Sequence, residues 1–136
     1  MTRRQRIFAR ILFVVYLATV AWLCFGRFDS MPDVPRFFLG IPIDKIVHFL
    51  MFFPFPILAF LAFDKFTEKW WVAVLFTLGT FLVGALIAAG TEVGQARLTS
   101  YRSGDPKDYL ADLLALGISS LIVLTIDIWK QRKCNA

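Results

Sequence analysis

Four apolar runs, at 7–25, 46–63, 70–90 and 109–129, are each 18 to 21 residues long, and they decide what this chain can become. At about 1.5 Å per residue, such a run forms a helix of about 27–32 Å, which matches a bilayer's hydrocarbon core of about 30 Å. No water reaches that core, so every backbone N–H and C=O must be paired within the protein, which leaves helices or closed barrels. A spanning strand needs only about 9–11 residues of alternating polarity, and no such alternation is present. Composition agrees. Hydrophobic types make up 58% of the 136 residues and charged types 18%, with a mean hydropathy of +0.66. That is too little polar surface for a water-soluble domain of this length. The expectation is a single domain over 1–136, an all-α integral membrane bundle of four transmembrane helices.

The basic residues set the expected orientation. Arg3, Arg4, Arg6, Arg10, Lys65, Lys69, Lys130, Arg132 and Lys133 flank one set of span ends, nine in all, against six (Arg27, Arg36, Lys45, Arg97, Arg102 and Lys107) on the other. The nine are packed into short flanks and the six are spread through longer loops. By the positive-inside rule, both termini and the middle loop are cytoplasmic. The first span has the basic start of a signal peptide, but its apolar run continues through Trp22–Phe25 without a small-residue cleavage site, so it reads as a retained anchor. The net charge of +5 forms no stripe of its own, and no nucleic-acid partner is expected.

Pro54 and Pro56 each remove a helical N–H and predict a kink in the second span. Gly84/Ala88 and Ala85/Ala89 in the third span, and Ala111/Ala115 and Ala115/Ser119 in the fourth, have the small-xxx-small spacing that lets two helices approach closely. The loop after the first span, with Pro32, Pro35, Pro42 and the patch Phe37-Phe38-Leu39, is expected to be extended, with its aromatics at the interface. Cys24 and Cys134 are expected near opposite faces, too far apart for a disulfide.

Ionisable side chains at membrane depth are expensive, so their placement carries information. Most fall at the outer ends of three spans: Asp44, Lys45 and His48 open the second, Glu92 and Gln95 follow the third, Arg102 lies in the next loop, and Asp108 and Asp112 open the fourth. Asp44/His48 and Asp108/Asp112 are i,i+4 pairs and Glu92/Gln95 an i,i+3 pair, if the third helix continues past Gly90. The helix macrodipole alone accounts for an acid at Asp44 or Asp108. Asp112 lies a turn inside its apolar run and is expected to face inward to Arg102, Lys45 or His48. Asp127, beside Trp129 and Lys130, reads as interfacial and structural.

The set Asp44-Lys45-x-x-His48-Phe49, Glu92-x-x-Gln95, Arg102, Asp108 and Asp112 resembles the VanZ-like family of small bacterial membrane proteins. That family carries an acid, a base and a histidine opening one span, a Glu-x-x-Gln ending the next, an arginine loop, and an aspartate followed four residues later by asparagine. The resemblance covers roughly 44–121. Asp112 replaces the expected asparagine and Ala115 the glycine three residues on, and the interval from Gln95 to Arg102 is slightly long. The resemblance implies a multi-pass protein of the bacterial inner membrane, and the family's namesake is associated with resistance to the glycopeptide teicoplanin.

Three readings of the polar set follow. It holds a lipid headgroup or cell-envelope precursor through its cations. Alternatively it is an enzyme site, with His48 and carboxylates serving as a divalent-metal site or general base. Or it is a structural network that pins three helix ends. No H-E-x-x-H, nucleophile elbow or phosphate-binding loop is present, and no resident metal or cofactor is expected. Membrane lipid is the expected partner, and a homo-oligomer is left open. Alternating-access transport is disfavoured by four short spans without a mid-membrane ionisable residue.

Overall fold

The computed structural model describes residues 2–26, 37–63, 69–100 and 104–134. The expectations for Arg27, Pro32, Pro35, Arg36, Lys65 and Arg102 lie outside these residues, as does the side chain of Cys134. The chain forms helix α1 (Arg3–Phe25), a small hairpin β1 (Phe37–Phe38) and β2 (Ile41–Pro42), and then α2 (Ile43–Phe52), α3 (Pro54–Phe63), α4 (Trp70–Leu98) and α5 (Pro106–Cys134). With α2 and α3 taken as one interrupted segment, four helical segments are long and apolar enough to cross a membrane.

α1, α2, α4 and α5 each outrun their apolar runs. α1 starts at a capping box in which the Thr2 hydroxyl accepts from the Gln5 N–H and the Gln5 side chain accepts from the Thr2 N–H. α4 continues from Gly90 to Leu98, and α5 begins before Tyr109 and runs past Trp129. The apolar run marks only the part that must avoid water, whereas the helix itself continues through polar residues to its caps.

The second span breaks at Phe53, just before Pro54, where the missing N–H and the ring's crowding of the preceding turn end α2. The Tyr16 hydroxyl, from α1, donates to the Met51 carbonyl at 2.6 Å beside this break. The described part of the loop after α1 is extended backbone folded into a hairpin. Phe37 pairs with Pro42 and Phe38 with Ile41. Leu39 (φ 50°) and Gly40 (φ 79°) supply the two positive-φ residues of a tight two-residue turn.

Segments consecutive in the chain run antiparallel. At one end, the Gln95 amide donates to the Cys24 carbonyl, joining the C-terminal ends of α4 and α1. At the other end, Arg10 Nε donates to the Ala62 carbonyl. α4 and α5 pack through the small residues. A Cβ added to Gly84 would lie 2.7 Å from Leu116 Cδ2 and 3.0 Å from Phe55 Cδ1, while Ala88, Ala115 and Ser119 are fully buried. Gly79 and Gly90 face open space. The core is built from Phe13, Phe52, Phe55, Ala59, Leu116 and their neighbours, while Phe8, Leu86 and Leu121 point outward, as lipid-facing side chains do.

Asp127 packs inside the protein. It is buried on the same face of α5 as Ser120 and Gln131. Trp129 and Lys130, its neighbours in sequence, are exposed because they occupy other faces of the helix.

Candidate functional site

The start of α2, the extended end of α4 and the start of α5 meet at the end of the bundle that also holds Cys24. Because α2 and α5 lie side by side, their polar residues form two rungs. In the first rung, Lys45 Nζ donates to Asp108 and, at 2.9 Å, to Asp105 Oδ2, and Asp44 lies 3.6 Å away. In the second rung, one turn deeper, His48 Nδ1 lies 3.1 Å from Asp112 Oδ1 and 3.4 Å from Oδ2. Asp112 is fully buried and the His48 side chain is 6% exposed. The i,i+3 step from Lys45 to His48 faces the i,i+4 step from Asp108 to Asp112, so each cation meets an acid.

Glu92 enters from α4. Its Oε1 lies 3.7 Å from His48 Nδ1 and its Oε2 accepts the Asp105 N–H at 3.1 Å. Oε1 is buried and makes no hydrogen bond among the described residues. His48 Nε2 faces Asp108 Oδ2 at 3.8 Å. Among the described residues, five carboxyl groups, those of Asp44, Glu92, Asp105, Asp108 and Asp112, stand around Lys45 and His48. His48 therefore has acids from two helices on its two ring nitrogens and is closed off from solvent.

Of the residues expected from sequence, Asp44, Lys45, His48, Glu92, Asp108 and Asp112 come together. Gln95 does not join them. It turns to α1 and satisfies the Cys24 carbonyl, because three residues advance a helix by about 300°, leaving Gln95 about 60° around from Glu92.

Asp105 and Gly104 fall outside the sequence-derived set, yet both shape the site. Asp105 Oδ1 accepts the Lys107 N–H at 2.9 Å, capping α5 ahead of Pro106, and Oδ2 takes Lys45. The Lys107 N–H and then the Lys45 ammonium hold its carboxyl below the usual carboxylate range. The sequence signal for it is Asp105-Pro106, an N-cap residue followed by proline at the first helical position. Gly104 passes so close to α4 that an added Cβ would lie 2.8 Å from the Glu92 carbonyl oxygen. Beside the rungs, a cavity of about 300 Å³ opens between Ala89, Glu92, Ala96, Gly104, Asp105 and Tyr109.

Comparison with family models, curated proteins and solved structures finds no match.

Proposed function

We propose that this chain is a VanZ-like protein of the bacterial inner membrane, with both termini in the cytoplasm. In this reading it holds the phosphate-bearing head of a membrane lipid or a lipid-linked cell-envelope precursor at its outer end. One observation carries the reading: the buried rungs lie within about two turns of where the apolar runs of α4 and α5 stop, the depth at which headgroups meet the hydrocarbon core. Lys45 supplies an ammonium at that level, and the cavity beside Glu92 and Tyr109 is at the small end of the size range of ligand pockets. The exposed apolar hairpin tip, Phe38 to Ile41, adjoins the same end of the fold and suits an interfacial resting place.

A general-base enzyme is the weaker reading. Both ring nitrogens of His48 face carboxylates, and neither is presented to the cavity. The link to glycopeptide resistance belongs to the proposal through the family resemblance alone.

Native mass spectrometry tests the headgroup reading. Wild-type protein released from bacterial membranes retains phospholipid or polyprenyl-phosphate adducts that Lys45→Ala loses. Equal retention by the two proteins contradicts it.

A further inference from the structure

The acid-rich composition of the site is at odds with direct binding of an anionic headgroup. Among the described residues, five carboxyl groups crowd around Lys45 and His48, three of those acids are largely buried, and unbalanced charge in a low-dielectric site is expensive. A cation would remove both difficulties. The Glu92 side chain is nearly buried, and its Oε1 takes no donor among the described residues, so one acceptor in the centre of the cluster stands unused.

We propose that His48 Nδ1, Glu92 Oε1 and an Asp112 carboxylate oxygen hold one divalent first-row transition-metal ion. Its remaining coordination position would take a phosphate oxygen of the headgroup. The phosphate part rests on the reading given under Proposed function, while the cation site stands on its own geometry. Metal–ligand bonds of about 2.0–2.2 Å in a tetrahedral shell put donor atoms about 3.3–3.6 Å apart. His48 Nδ1 lies 3.1 Å from Asp112 Oδ1 and 3.7 Å from Glu92 Oε1, and the donor atoms of the three residues all fall within 4.8 Å of one another. Small side-chain rotations close the shell. One imidazole with two carboxylates suits Zn²⁺ or Mn²⁺ better than Mg²⁺ or Ca²⁺, which prefer oxygen alone. Asp108 stands behind Nε2, on the side where metal-bound imidazoles keep a carboxylate.

A second trio, Asp44, His48 and Asp108, also has its donor atoms within 4.8 Å. It is the poorer site, because Lys45 already occupies Asp108 and would repel an ion there, and because Asp44 is exposed. Glu92 is common to the chosen trio and to the cavity, so a ligand entering from the cavity reaches the ion. An ion competes with a proton for the Nδ1 lone pair of His48, so affinity rises with pH.

The test is calorimetric titration of delipidated protein in detergent with Zn²⁺ and Mn²⁺ alone, alongside elemental analysis of protein purified without chelator. One ion per chain is expected. Glu92→Gln preserves shape and loses affinity at least about tenfold, since even outer-shell partners are worth about 10–100-fold. Asp112→Asn loses affinity likewise, while Asp127→Asn keeps the ion. No saturable binding by the wild type, or equal binding by Glu92→Gln, overturns the site. Adding a short-chain alkyl phosphate to the Zn²⁺-loaded protein separates the two claims. Phosphate binding that disappears with chelator supports both. An ion that binds without recruiting phosphate supports the cation site and overturns the headgroup role.

Discussion

At the scale of single residues, His48 and Asp112 are not equivalent halves of a pair. Removing His48 leaves Glu92, Asp108 and Asp112 facing one another with no imidazole between them. Removing Asp112 leaves His48 with Glu92 Oε1 still 3.7 Å from the same ring nitrogen. His48→Ala is therefore expected to lower stability by about 3–5 kcal/mol, as breaking a buried pair does, and Asp112→Ala by about 1–3 kcal/mol. Thermal unfolding in detergent reads both, and equal losses would contradict the asymmetry.

Asp105 supplies a pH dependence with a definite sign. Its carboxyl is held low in the folded protein by the Lys107 N–H and Lys45. Its contribution is complete above the unfolded value of about 3.9 and is lost as pH falls through the lower folded value. Melting temperatures followed from about pH 7 to about pH 3 should fall at the acid end, and more steeply in the wild type than in Asp105→Asn. The inward turn of Asp112 is legible in the sequence, because a charge a turn inside an apolar run has to face protein. The role of Asp105 is legible only in the local pair Asp105-Pro106, which signals a helix cap and says nothing of Lys45 on another helix. Spacing groups Gln95 with Glu92, but the 60° between them sends it to α1.

At the scale of elements, the α4–α5 interface and the break before α3 are the two features that position the rungs. Gly84 is a point of close approach in that interface, and Gly79 faces open space five residues away. Gly84→Ala should cost about 1–3 kcal/mol through overpacking against Leu116 and Phe55. Gly79→Ala should be neutral or stabilising by up to about 1 kcal/mol. The same melts check the contrast, and similar values for the two would contradict the packing account. Tyr16→Phe, which strips the donor from the Met51 carbonyl beside the break, should cost about 1 kcal/mol.

The break can be read from Pro54, and the close packing from the small residues. The hairpin cannot, because its first turn position is Leu39, and leucine disfavours positive φ where asparagine or glycine would have signalled the turn. The end of α4 past its apolar run is equally hidden, whereas Asp105-Pro106 marks the start of α5. Hydropathy registers contact with lipid, whereas α4 ends at Leu98 where its hydrogen-bonded ladder stops.

At the scale of the whole molecule, four antiparallel segments return the last helix to the end from which the first began. α1 and α4 finish, and α2 and α5 start, at one common end. That arrangement brings acids separated by dozens of residues into a single cluster, where spacing alone could place them only on faces of their own helices. The central claim is that this cluster is a binding site and not a brace for the bundle. Glu92→Gln separates the two most directly. The amide it introduces keeps an oxygen to accept the Asp105 N–H and replaces an oxygen that takes no hydrogen bond among the described residues and lies 3.7 Å from His48 Nδ1. With melting temperature and retained phosphate-lipid adducts measured on the same preparations, the account predicts that Glu92→Gln melts close to wild type and arrives stripped of its adducts. A variant that melts far lower, or one that keeps the wild-type complement of lipid, would contradict it.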